Sequence, residues 1–192
     1  MQVFNALTSK VAAFLTALLL AATCFIAAPN EADAAGFEFT GGFGYAALPD
    51  PDSSLDYHGF AFTLGFGYRI NDWVGVAIDQ DLGGLFYNKH GYDIDVFQGA
   101  TMFEAKFYFP IVSSFELGAK VGIGATYMAD EGNDDGWFAI RIGVNGTYFI
   151  TSNVGIGLNF DYTPSFANDD HNGHTSSTGH FLKLQAHLTY RF

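Results

Sequence analysis

Basic residues are scarce in this sequence: 8 Lys and Arg stand against 20 Asp and Glu, for a formal net charge of −12. Such a chain repels phosphate and has no basic patch to offset the repulsion, which excludes nucleic acid as a partner. Cysteine occurs once, as Cys24. If it is removed with a leader, the mature chain can form neither a disulfide nor a thiolate metal site. Beyond residue 35 no apolar stretch reaches the ~20 residues that a membrane helix needs. Charged residues make up only 15% of the chain, against a usual ~25%. In their place are aromatics at 17% and 23 glycines, a mixture that suits a lipid-facing sheet better than a soluble core. The 192 residues leave room for about one domain.

The N-terminal segment reads as an export address. Lys10 gives it a positive start, residues 11–28 are apolar, and Ala32-Asp33-Ala34 fits the small-x-small cleavage pattern. We therefore expect a signal peptide over residues 1–34, with cleavage after Ala34, and a mature domain over residues 35–192. Two competing readings are a retained anchor, since the apolar run is long enough to span a bilayer, and lipoprotein acylation at Cys24, where Thr23 stands in place of the usual Gly or Ala.

A chain that enters a membrane without apolar helices must close a β-barrel, because only then is every backbone group paired inside the lipid. The signature is a series of ~10-residue segments alternating apolar and polar. The last segment puts Leu182, Leu184, Ala186, Leu188, Tyr190 and Phe192 on one face and Lys183, Gln185, His187, Thr189 and Arg191 on the other. The first sets Phe37, Phe39, Phe43 and Tyr45 against Glu38, Thr40, Gly42 and Gly44. Eight such segments can be counted, the third being a short one from Val74 to Asp81. The predicted fold is an all-β, eight-stranded, antiparallel up-and-down transmembrane barrel. A soluble lipocalin-like barrel or sandwich would also alternate. Its outward face would carry the charges, whereas here no outward position is charged, and a Lys or Arg there would cost ~2–4 kcal/mol at mid-bilayer.

Connections alternate in length. Residues 71–73, 110–114 and 151–153 are short, while residues 49–56, 83–95, 129–136 and 165–178 are long and polar. Short turns belong in the periplasm and long loops outside, so both mature ends are expected in the periplasm. The hairpins Tyr68-Arg69-Ile70/Val74-Gly75-Val76 and Tyr148-Phe149-Ile150/Val154-Gly155-Ile156 echo one another.

The terminal Leu188-Thr189-Tyr190-Arg191-Phe192, with aromatics at alternate positions, resembles the C-terminal signal read by the outer-membrane assembly machinery. With Tyr68-Arg69-Ile70-Asn71 entering a tight turn, it makes the mature chain similar to the small eight-stranded barrels of the outer-membrane-protein A and X type. The resemblance implies a bacterial outer-membrane location and an assembly signal formed by Leu188, Tyr190 and Phe192. The chain ends at its last strand, so the peptidoglycan-binding domain of the protein A type is not expected, nor is cell-wall anchoring.

The inward face collects six bases, Arg69, Lys106, Lys120, Arg141, Lys183 and Arg191, and six acids, Glu38, Asp79, Asp81, Glu104, Glu116 and Asp161. An eight-stranded lumen is only wide enough to be filled by side chains, so a paired charge network is expected there. The alternative is a gated ion path, because inward Gly65, Gly67, Gly122, Gly124, Gly155 and Gly157 leave gaps for water. His187 reads as a hydrogen-bonded lumen residue. The loops hold Asp50, Asp52, Asp56, Asp93, Asp95, Asp130, Glu131, Asp134, Asp135, Asp169 and Asp170 against Lys89 alone. These are solvated charges or a weak divalent-cation site centred on Asp130, Asp134 and Asp135, without EF-hand spacing, and such an ion could bridge to lipopolysaccharide. His171, His174 and His180 beside Asp169 and Asp170 offer transition-metal ligands without the spacing of a structural zinc site. His174-Thr175-Ser176 has the His-x-Ser spacing of the lipid A deacylase family but no downstream carboxylate, and the glycosylation triplet Asn145-Gly146-Thr147 faces the lumen. The sequence therefore predicts a monomeric structural or surface-interaction protein without cofactor or catalysis. A narrow passive pore is the alternative, and a lipid-modifying enzyme a more distant one.

Overall fold

The computed structural model describes residues 35–49, 56–87, 96–130, 133–166 and 178–192. The expected leader, most of the loop acids, and His171 and His174 lie outside these residues. Eight strands run through them: β1 (Gly36–Pro49), β2 (Asp56–Arg69), β3 (Val74–Tyr87), β4 (Val96–Val112), β5 (Phe115–Asp130), β6 (Asn133–Phe149), β7 (Val154–Phe166) and β8 (Thr178–Arg191). Each pairs antiparallel with the next, and β8 returns to β1, so the sheet is closed and has no edge left to satisfy. Among the described residues no helix is long and apolar enough to cross a membrane. The shortest strand has 13 residues. At ~3.3 Å per residue and a ~40° tilt it covers about 33 Å, more than the ~25 Å apolar band of an outer-membrane barrel.

Alternation along each strand sorts the two faces. Phe43, Phe62, Ile78, Phe103, Ile123, Ile142, Leu158 and Leu184, one from each strand, are exposed on the outer face. Their sequence neighbours Gly42, Thr63, Asp79, Glu104, Gly122, Arg141, Asn159 and Lys183 are buried on the inner one. This inverts the soluble pattern, and it follows from a pleat in which successive Cβ atoms point to opposite sides.

Side chains set the two matched turns. Asn71 Oδ1 accepts from the N–H groups of Trp73 (2.8 Å) and Val74 (2.9 Å), and Thr151 Oγ1 does the same for Asn153 (3.3 Å) and Val154 (3.0 Å). A short polar side chain bonding the backbone two and three residues on closes each hairpin in the same way.

The strands run further than composition suggests. The third strand was expected to stop at Asp81, with a connection over residues 83–95; β3 instead continues to Tyr87. Gly83 and Gly84 interrupt the alternation, yet their backbones pair with Ala61 and Phe60 on one side and with Gln98 and Phe97 on the other. The expected long connection over residues 129–136 is likewise occupied by strand ends, with Asp130 opposite Asn133. At the 110–114 turn, β4 reaches Val112 through an irregularity at Pro110, a residue with no N–H for the ladder. The β6–β7 ladder pairs Ile142 with Tyr162 and resumes at Ala139 with Ser165, and Pro164 stands in the gap.

Candidate functional site

The lumen holds the chemistry of this barrel. All twelve inward charges named from the sequence have described side chains, and each takes part in an ion pair with another of the set. They divide into two networks along the axis.

The first is a closed ring. Lys120 on β5 meets Glu104 on β4 (3.5 Å), Glu104 meets Arg141 on β6 (3.1 Å), and Arg141 meets Asp81 on β3. Asp81 then meets Lys183 on β8 (2.6 Å), Lys183 meets Asp161 on β7 (3.1 Å), and Asp161 returns to Lys120 (3.1 Å). Asp79 attaches to Lys120 at 3.3 Å. Acid and base alternate, so every neighbour in the ring is attractive. The Arg141 and Lys183 side chains have no exposed surface. Charges this deep persist only when paired and hydrogen-bonded. Neutral groups add further bonds: Thr163 Oγ1 accepts from Arg141 Nε (3.1 Å), Thr63 Oγ1 accepts from Lys183 Nζ (2.9 Å), and Asn159 donates to Asp161 (2.7 Å). The Thr63 hydroxyl lies 2.5 Å from Asp81 and 2.9 Å from Gln185 Oε1, and its single proton serves one of them at a time. The ring needs the space above Gly143, where a Cβ would run into the Asp161 carboxylate and stand 2.7 Å from Lys120 Cε.

The second network lies toward the short turns. Arg69 meets Glu116 (2.9 Å), Arg191 meets Glu116 (2.6 Å) and Glu38 (3.3 Å), and Lys106 meets Glu38 (3.4 Å). Arg69 also donates to the backbone oxygens of Asn71 (3.2 Å) and Asp72 (2.6 Å), tying the lumen to the β2–β3 turn. Its guanidinium stacks 4.1 Å from the centre of the Tyr108 ring, and that of Arg191 lies 4.0 Å from Phe149. Sequence reading missed Tyr108. Its parity with Lys106 placed it inward, but its aromatic character suits the lipid face equally well.

A cavity of about 40 Å³ adjoins both networks, with Glu38, Asp79, Lys120 and His187 in its wall. It has room for a few water molecules and no larger solute. His187 Nε2 shares a hydrogen bond with Thr147 Oγ1 at 2.9 Å. Toward the long-connection end the lumen turns apolar: Ala46, Ala61, Leu85 and Phe181 form a buried cluster, flanked by Leu48, Tyr57 and Val96. This apolar packing is not legible in the sequence, because Leu85 falls in an expected connection and Phe181 just before the last counted segment.

The other candidates fare differently. The side chains of Asp130, Asp134 and Asp135 lie outside the described residues. Among the described residues no group of three His, Cys, Asp or Glu could hold a metal ion. His180 instead stacks on Tyr162 and shares a 2.6 Å hydrogen bond with its hydroxyl. Leu188 and Tyr190 of the terminal motif are exposed on the outer face of β8. Asn145 and Thr147 of the glycosylation triplet line the cavity.

No curated protein matches the sequence. Solved structures do share its fold. Neisserial surface protein A is similar with a TM-score of 0.64 at 20% identity, over 83% of this chain and 100% of that one. The N-terminal β-barrel domain of Pseudomonas aeruginosa OprF gives 0.54 at 15%, over 83% and 98%. Ail, the attachment invasion locus protein of Yersinia pestis, gives 0.51 at 18%, over 82% and 99%. Residues 16–192 match the family described as outer membrane protein beta-barrel domain. With a closed eight-stranded sheet, apolar outside and charged within, the chain belongs to that family of the bacterial outer membrane.

Proposed function

We propose that this protein is a plugged barrel that works at the cell surface, in envelope integrity or adhesion, through its acidic outer loops. The observation that carries the proposal is the closed ion-pair ring across the lumen, supported by the apolar cluster at one end of it. An ion entering the lumen would have to break pairs that solvent cannot replace, so conduction is not the task. In this reading the barrel is a monomer with the short turns and both mature ends in the periplasm. Leu188, Tyr190 and Phe192 are read by the assembly machinery during insertion. The loops face lipopolysaccharide and take up divalent cations weakly, with Asp130, Asp134 and Asp135 the leading ligands. No cofactor or catalytic step is assigned. A narrow passive pore remains the second reading, favoured by the water-sized cavity beside the ring.

Deleting residues 167–177 while leaving the strands intact tests the loop role. Cells carrying that variant, with a barrel shown to be folded by its heat-dependent electrophoretic shift, should become sensitive to detergent or large antibiotics. Unchanged resistance would overturn the proposal, as would sensitivity that follows lumen substitutions and ignores the loops.

A further inference from the structure

Two of the eight ladders leave one corner of the barrel loosely joined. The β6–β7 ladder is continuous up to Ile142 opposite Tyr162, skips Ile140 and Arg141 against Thr163 and Pro164, and resumes with Ala139 opposite Ser165 and Phe138 opposite Phe166. Pro164 has no N–H to give to β6. On the other side the β8–β1 ladder ends with Leu182 opposite Ala47, so among the described residues 178–181 pair with β7 alone. Tyr162 is itself opposite Leu182. Ile142, Tyr162, Leu182 and Ala47 therefore form one row across four strands. On its long-connection side the ends of β7 and β8 are paired more fully with each other than with either neighbour.

Side chains show the same division. Tyr162 and His180 stack and share their 2.6 Å hydrogen bond, and Ser165 Oγ donates to the Gly179 carbonyl at 3.3 Å, so the two strand ends hold together. Toward β6 the gap is bridged from inside by Arg141. Its Nε donates to Thr163 Oγ1 at 3.1 Å while its other nitrogens reach Glu104 and Asp81 on β4 and β3. From outside, the exposed Phe138 and Phe166 rings stack at 6.4 Å. Toward β1 the attachment is packing alone: Phe181, opposite Thr163, is buried in the apolar cluster with Ala46, Ala61 and Leu85. The largest side chain of that cluster and the hydroxyl gripped by the ion-pair ring thus face each other across one ladder step. Outward movement of this corner withdraws Phe181 and breaks the Arg141–Thr163 bond together, and by linkage a disrupted ring favours the outward position. We infer that residues 163–166 and 178–181 form a hinged stopper for the lumen, turning about Tyr162 and Leu182 and latched by Arg141 through Thr163.

Residue-resolved hydrogen exchange of the mature barrel in nanodiscs tests this. The amides of residues 165, 166 and 179–181 should exchange together, and several-fold faster than those of residues 83–85, which are paired on both sides. Thr163→Val removes the latch's acceptor and should speed those amides about tenfold, since a hydrogen bond to a charged group is lost. It should also raise the frequency of openings in a planar bilayer. Thr126→Val, at a buried hydroxyl that has no hydrogen-bond partner, should change neither. Ala139→Cys with Ser165→Cys places two thiols directly opposite one another beside the gap, within disulfide reach, and the bond should slow the exchange until it is reduced. Equal exchange in the two regions would overturn the inference. So would a Thr163→Val variant that leaves exchange unchanged or speeds it throughout the barrel, or a disulfide without effect on these amides. If Thr163→Val fails to fold, the wild-type exchange map and the disulfide decide.

Discussion

Arg141 on β6 and Glu104 on β4, strands that are not neighbours in the sheet, form an ion pair at 3.1 Å in which neither side chain has exposed surface. Removing Arg141 leaves both Glu104 and Asp81 without their guanidinium partner. Breaking a buried pair from one side costs about 3–5 kcal/mol, far more than the intact pair contributes over an apolar substitute. Arg141→Leu should therefore lower the unfolding free energy of the bilayer-inserted barrel by that amount, read as a lower urea midpoint in the fluorescence of its tryptophans. Arg141→Leu combined with Glu104→Leu and Asp81→Leu should recover part of the loss.

Glycine positions separate inward from outward demands. Gly143→Ala forces a methyl against Asp161 and Lys120 and should destabilise the barrel by roughly 1–3 kcal/mol, as overpacking does. Gly41→Ala meets open space and should be silent. The temperature at which the folded band disappears on electrophoresis reports both.

The alternation of β8 was readable from its own residues, since Leu184, Leu188 and Tyr190 are exposed while Lys183, Gln185 and His187 are buried. Face assignment needs only a period of two. The partners across the lumen were not readable, because parity places Arg141 inside without saying that it meets Glu104 and Asp81 from two non-adjacent strands. Strand ends were also obscured. Leu82-Gly83-Gly84-Leu85 reads as a break in composition, yet backbone pairing on both sides continues through it.

Assembly gives a third expectation. Deleting Phe192 should slow insertion and leave unfolded chain in the periplasm, visible as a persistent heat-insensitive band in pulse-chase labelling. Insertion at the normal rate would remove the terminal motif from the account.

The loop acids give a fourth. Several carboxylates favour a divalent ion over monovalent screening when they converge on it, and ordering them costs entropy, so binding should be in the millimolar range. Calorimetric titration of the detergent-folded protein with Ca²⁺ should give heats that shrink when Asp130, Asp134 and Asp135 are all changed to Asn. Identical heats would leave these acids as solvated charges.

The central claim is that the ring closes the lumen, and single-channel recording in a planar bilayer tests it most directly. The wild-type barrel should give rare, small openings, and Arg141→Gln or Glu104→Gln should make them larger and more frequent by freeing a paired partner. Steady wild-type conductance of porin size would contradict the account.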